Sequence, residues 1–379
     1  MHILIAPNAF KHSLDAGSAA AAIAEGLEQS RLQCTTECFP VGDGGDGTSA
    51  LIIRKCHGEI ITGEVHDAYG KNITASYGLI DNKKTAVIEM ANASGLRILK
   101  EQALNPLKAN TYGTGEQMKQ ALDLGVKKII VGLGGSATVD GGVGILAALG
   151  VRFLDINKKL LEFLPADLIE LEYVDISCLD KRISQTEIIV LCDVENFLLG
   201  EEGAAAVFGP QKGATPKVVH RLEQALEKFS VIAKPATGKE MDKIKHGGTA
   251  GGAAAGLYAF LDARLVNGID YFLTLTGFDN ALKNADLVIT GEGSIDDQTL
   301  QGKGPFGVAK KAKEKNLPVI GIAGKVPLQT TNELEKYFDA LWAIGSEPSN
   351  MNEALKNTEV NLIRASKEIG NLLHIAPGR

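Results

Sequence analysis

An apolar run at residues 3–6 opens the chain, and a polar loop follows over residues 7–14. This pattern predicts a short buried strand. Ser13 or Asp15 then stands where it can cap an alanine-rich helix reaching about Gln29. A second strand is predicted over residues 36–41, followed by a loop at 43–47 and a helix across 51–54. The last third repeats the rhythm, with strands at 286–290, 318–323 and 340–344 and helices at 304–315 and 352–373. Strands alternating with helices predict right-handed crossovers and a parallel sheet of about five strands.

The middle of the chain differs. Short alternating runs over residues 59–90 are broken by Tyr69-Gly70-Lys71 and Asp81-Asn82-Lys83, the pattern of antiparallel hairpins. Helices are predicted at 114–124, 143–149, 216–232 and 251–261, and strands at 128–131 and 187–191. The expected fold class is α/β. A discontinuous doubly wound (Rossmann/flavodoxin-like) parallel-sheet domain would come from residues 1–60 plus 264–379, and residues 61–263 would form an inserted mixed α/β domain. At 379 residues the chain can bury a core for both.

Charge narrows the partners. The net charge is −7, with no Lys/Arg run or basic stripe, which argues against a nucleic-acid surface. The N-terminus has no charged lead and long apolar stretch of a signal peptide, and no run approaches the ~18 apolar residues of a membrane span. A soluble, cytoplasmic protein without a membrane partner is expected. The five cysteines are scattered, and neither they nor the seven histidines show zinc-ligand spacing.

The 43 glycines gather in loops, and three of these loops also hold carboxylates. They are Gly42-Asp43-Gly44-Gly45-Asp46-Gly47, the segment from Gly132 to Gly142 containing Asp140, and Gly291-Glu292-Gly293-Ser294-Ile295-Asp296-Asp297. Glycine lets backbone N–H groups converge on an anion, and a carboxylate beside a phosphate calls for a hard divalent cation between them. Phosphoryl transfer is the first hypothesis. Gly132-Leu133-Gly134-Gly135-Ser136-Ala137, with Asp155 further on, also matches the dinucleotide fingerprint. Asp140, however, stands where the following helix starts and a pyrophosphate would dock. The segment therefore reads as a phosphate or substrate loop: a tight turn explains its glycines, but not Ser136, Thr138 and Asp140 together.

No Walker A sequence is present. Lys11, Asp43, Asp46, Asp193, Glu292 and Asp296 all follow predicted strands, and open α/β sheets bind ligands at the carboxyl ends of their strands. Each aspartate taken singly reads as a helix cap; the repetition favours a role in metal binding or in accepting a hydroxyl proton. Lys212, in a polar turn, is expected to be solvated. The glycines around Gly251 and Gly252 fit either an anion nest or a close helix contact.

Taken in order, six segments give the chain a resemblance to the type-1 glycerate kinase family over essentially its whole length. They are Pro40 through Thr48, Gly134 through Gly142, Cys192-Asp193-Val194-Glu195-Asn196, Phe208-Gly209-Pro210-Gln211-Lys212-Gly213-Ala214, Gly251-Gly252, and Asp286 through Asp296. The resemblance implies ATP- and Mg²⁺-dependent phosphorylation of D-glycerate to phosphoglycerate in an interdomain cleft, on a fold unrelated to P-loop kinases. Lys11, Asp193 and Asp296 would then be catalytic. Gly134, Gly135, Ser136, Thr138, Gly251, Gly252, Glu292 and Lys303 would bind substrate or phosphate, and Asp43 and Asp46 would hold magnesium. Lys11 and Lys303 are the candidates for the glycerate carboxylate, and Asp193 and Asp296 for the attacking hydroxyl. The family usually has Asp-Ser where this chain has Asn8-Ala9, Asn at Val139, Arg at Ser294 and Pro at Phe197. Two other readings stand beside this one: an NAD-dependent oxidoreductase using the Gly132 to Ala137 segment, and a non-catalytic sensor of a nucleotide or hydroxy acid. The expected partners are small molecules, and a homodimer stays open.

Overall fold

The computed structural model describes residues 1–99 and 104–375. The chain separates into two compact units, Met1–Asp43 together with Ile269–Arg379, and Gly44–Gly268.

The first unit holds a five-stranded sheet in the order Ala340–Ala343, Val319–Lys325, Leu287–Ser294, His2–Ile5, Thr35–Cys38. Every pairing is parallel. Counted along the chain from the opposite edge, the order is 2-1-3-4-5, the flavodoxin-like winding. Ile3 and Ile5 share one face with Leu287 and Ile289, and they join Ile23, Leu27, Leu362 and Ile369 in one core. Strand alternation turns Leu4 and Val288 to the opposite face, where they are equally buried. The helix Ala16–Glu28 is capped by Asp15, whose Oδ1 accepts from Ser18 N at 2.9 Å. It lies against Thr358–Ile375 so closely that a β-carbon at Gly26 would stand 2.2 Å from Ile363 O.

The predicted strand ending at Thr290 in fact continues to Ser294. Gly291 and Gly293 are thus strand residues, not a loop nest. Gly291 is needed because a β-carbon there would stand 2.0 Å from Ile322 O of the neighbouring strand.

The second unit holds a six-stranded mixed sheet in the order Arg264–Asn267, Glu187–Cys192, Lys128–Gly132, Thr85–Glu89, Asn72–Ile80, Glu59–His66. The last three form the predicted antiparallel run, and Thr85–Glu89 then pairs parallel with Lys128–Gly132. The Arg264–Asn267 strand was not predicted; it is a short edge strand whose four residues show no apolar run. The core is built from Ile88, Ile129, Val131, Ile188 and Val190 with helices Tyr112–Asp123, Pro216–Thr237 and Ala253–Leu261. Among the described residues no helix is long and apolar enough to cross a membrane.

Candidate functional site

In the first unit the winding reverses between His2–Ile5 and Leu287–Ser294, and open sheets bind ligands at the carboxyl ends of such a strand pair. Backbone pairing continues past the first strand, with Asn8 N donating to Gly291 O at 2.8 Å. This sets Asn8 beside Asp43, to which its Nδ2 donates at 2.7 Å. Gly304 N, at the start of the helix Gly304–Lys313, reaches the same Asp43 oxygen at 3.4 Å. Glu292, almost wholly buried, accepts from Thr299 Oγ1 at 3.2 Å. Burial pushes its carboxyl up to about 7; Lys303 pulls it down, Asp43 pushes it further up, and Thr299 and Lys11 draw it down. Lys11 is exposed in the loop after the first strand, and Lys303 is half-buried at the helix cap. Asp296 joins through Thr299, whose Oγ1 accepts from Asp296 N at 3.1 Å, while Ser294 Oγ donates to Asp296 at 3.2 Å. Lys11, Asp43, Glu292, Asp296 and Lys303 therefore form one group.

Glu292 gives this group a measurable pH signature. A carboxyl raised to about 7 when folded stabilises the protein fully below its unfolded value of 4.5, and that contribution is lost as pH rises through about 7. Unfolding midpoints in urea should fall between those limits, and Glu292→Gln should remove on the order of 3 kcal/mol of the drop. Identical slopes in the two proteins would show that Glu292 titrates normally.

The second unit carries another group. Asp140 is completely buried and accepts from Thr111 N (2.9 Å), Thr111 Oγ1 (2.8 Å), Gly142 N (3.0 Å) and Gly144 N (3.2 Å). Burial raises its pKa against the pull of these four bonds. The carboxylate thus occupies the start of the helix Val143–Ala148, where the dinucleotide reading needs a pyrophosphate. Asp155 spends its Oδ1 on Asn157 N and Lys159 N, both at 2.8 Å, forming a local turn rather than a ribose contact. In the same loop Gly134 N donates to Gly44 O at 3.0 Å, and a β-carbon at Gly134 would stand 2.3 Å from Gly45 Cα. Gly251 similarly packs on Thr138, and its O accepts from Gly141 N at 3.0 Å; Gly252 caps the helix Ala253–Leu261. Both behave as the close-contact glycines that the sequence left as one option.

Lys212, expected in solvent, is only 2% exposed. Its Nζ donates to Ser136 Oγ and to Thr138 O, each at 2.7 Å. Burial pushes the ammonium down to about 7, opposed by Asp140 and Asp193. Asp193 follows the strand Glu187–Cys192 directly and is half-buried. Ser136, Thr138 and Asp193 are therefore gathered around a lysine that the sequence reading undervalued.

Asp46 lies in this unit with Arg97, whose NH1 stands 2.8 Å from its Oδ1. Beside it the buried Glu89 accepts from Gly47 N (2.8 Å) and Ser49 N (3.0 Å). Burial, with Asp46 as neighbour, pushes Glu89 up to about 7. Sequence reasoning passed over both Glu89 and Arg97. Glu89 was findable, because it ends the apolar run Ala86-Val87-Ile88 at a strand's carboxyl end, as Asp193 does. Arg97, on a short 3₁₀ turn, had no such signal. Among the described residues no group of three or more His, Cys, Asp or Glu side chains is arranged to hold a metal ion.

Comparison with known proteins bears on this geometry over its full length. A model of the glycerate kinase family matches residues 3–374. A glycerate kinase of Halalkalibacterium halodurans is 43% identical over 367 residues, covering 97% of each chain. The glycerate 2-kinase of Escherichia coli is 39% identical over 375 residues, covering 99% of this chain and 98% of its own. A crystal structure assigned provisionally as glycerate kinase 2 of Salmonella typhimurium LT2 superposes with a TM-score of 0.83 at 41% identity, covering 99% of both chains. With its flavodoxin-like sheet, its acidic strand ends and this likeness from end to end, the chain belongs to the glycerate kinase family.

Proposed function

We propose that this chain transfers the terminal phosphoryl group of ATP to a hydroxyl of D-glycerate. The family match across residues 3–374 carries the reading. The strand-end groups support it, since each unit sets cationic side chains among carboxylates, as two anionic reactants require. Lys11 and Lys303 neutralise the glycerate carboxylate. Asp193 or Asp296 accepts the attacking hydroxyl's proton, which raises the oxygen's nucleophilicity as the phosphorus–oxygen bond forms. Ser136 and Thr138 contact phosphoryl oxygens, and Gly134, Gly251 and Gly252 hold their loop in place through close backbone contacts.

Mg²⁺ completes the proposal. It commonly keeps waters and substrate phosphates and takes only one or two carboxylates from protein, so a three-carboxylate cage is not needed. Asp43 and Asp46 are the carboxylates proposed to hold the ion, which when bound would supply positive charge to the phosphate groups of ATP. The Escherichia coli relative's name, glycerate 2-kinase, makes the 2-hydroxyl the acceptor we propose.

A coupled ADP-release assay tests the whole reading. ADP should appear only when D-glycerate, ATP and Mg²⁺ or Mn²⁺ are all present, EDTA should stop it, and phosphorus NMR should identify 2-phosphoglycerate. ADP release that ignores glycerate would discard the substrate. Full turnover after every divalent ion is stripped would discard the metal.

A further inference from the structure

We propose that Lys212 fixes Ser136 as a hydrogen-bond donor toward an anionic ligand, through the 2.7 Å contact between Lys212 Nζ and Ser136 Oγ. The inference rests on the kinase reading for the identity of that anion, a phosphoryl oxygen.

The chemistry follows from what each group can do. A lysine ammonium donates three hydrogen bonds and accepts none, whereas a serine hydroxyl has one hydrogen and two lone pairs. Ser136 must therefore accept from Lys212, which leaves its own hydrogen for an acceptor. Ser136 is itself 5% exposed, so an unused O–H there would be costly. A second donation, Nζ to Thr138 O at 2.7 Å, holds the same loop two residues on and keeps the ammonium from swinging away.

The lysine is also braced from behind. It ends the 3₁₀ turn Pro210–Lys212, and Gly213 follows at φ 91°, where a β-carbon would stand 2.4 Å from Leu104 O. Asp140 and Asp193 are the charged groups acting on the ammonium. Asp140 already accepts four hydrogen bonds from Thr111, Gly142 and Gly144, so Lys212 is not required to satisfy it. A buried charge kept at a desolvation cost, with a loop hydroxyl and a loop carbonyl as its hydrogen-bond partners, is placed for the loop's ligand. Burial also brings Lys212 down to about 7. Once neutral, the amine can accept as well as donate, and the polarity of Ser136 is no longer fixed.

The test is a double-mutant cycle with Ser136→Ala and Lys212→Met, read on kcat/KM and on calorimetric binding of tripolyphosphate. Ser136→Ala should cost roughly 10-fold in the wild-type background and less than 2-fold in the Lys212→Met background, since the second loss is already taken. Wild-type kcat/KM should decline on an alkaline limb that Ser136→Ala abolishes and that Lys212→Arg, charged at every pH used, moves out of range. If Lys212→Met does not fold, Ser136→Ala and Lys212→Arg still decide through that limb. Additive losses in the cycle, or an alkaline limb untouched by both single variants, would overturn the proposal, as would failure of the wild type to bind tripolyphosphate. A wild type that binds tripolyphosphate with the predicted coupling but releases no ADP with D-glycerate would overturn the kinase reading and uphold the Lys212–Ser136 pair.

Discussion

Asp193→Asn is expected to lower kcat by ~10²-fold or more, the scale of losing a positioned acid–base group. Asparagine keeps the shape of aspartate, and the side chain is half-buried at the end of Glu187–Cys192, so the fold should be retained. What changes is charge and basicity. Asp193 is one of the two carboxylates whose charge acts on the buried Lys212 ammonium, so the substitution also alters that lysine's surroundings. Asp296→Asn is the paired measurement. Asp296 takes a hydrogen bond from Ser294 and sits beside the Glu292–Thr299 contact, in a different electrostatic setting. The residue that receives the proton should lose kcat with little change in KM, whereas one that only holds substrate should raise KM. Near wild-type kcat in both variants, with normal melting temperatures, would show that neither carboxylate is the acceptor.

Gly251→Ala should destabilise the protein by more than ~4 kcal/mol, in the range where a single change is diagnostic of one mechanism. Two effects combine. Gly251 has φ 67°, a left-handed backbone that costs an alanine roughly 1–2 kcal/mol. The added β-carbon would also stand 2.1 Å from Thr138 O and 2.5 Å from Val139 Cα. These are backbone atoms, and Thr138 O is tied to Lys212, so neither can yield cheaply. Gly238→Ala supplies the control: its φ is 72°, yet nothing stands within 4 Å of the new carbon. That variant should lose only the backbone contribution. Equal losses at the two positions, measured by urea unfolding, would mean that the crowding at Gly251 relaxes and that its loop is softer than its contacts imply.

The strand-end carboxylates were legible for a topological reason. In a parallel sheet every strand delivers the residue after its apolar run to the same edge, so Asp193 could be placed by reading where such a run stops, whereas Glu292 lies inside a strand that continues to Ser294. Other features share no such rule. Lys212 meets Ser136 and Thr138 across 76 and 74 residues, and a three-residue turn has no periodicity to reveal which side it buries. Glycine is ambiguous for a physical reason: the missing β-carbon looks the same in sequence whether it makes room for a ligand or for another strand of backbone. Gly134 against Gly45, Gly251 against Thr138 and Gly291 against Ile322 are all contacts of the second kind. Only their neighbours, distant along the chain, distinguish the two uses.

The place of the first strand has a consequence for the chain during synthesis. His2–Ile5 lies inside its sheet, between Thr35–Cys38 and Leu287–Ser294, and Thr290 Oγ1 donates to Ala6 O across 284 residues. A nascent chain therefore emerges with Ile3, Leu4 and Ile5 lacking one of their two neighbours. At ~5–20 residues per second, roughly a quarter of a minute to a minute passes before that neighbour leaves the ribosome. Residues 44–268 emerge complete within this interval and can bury their own core first. The opening segment must wait, apolar and half-paired, until residues 287–294 arrive to cover its second edge.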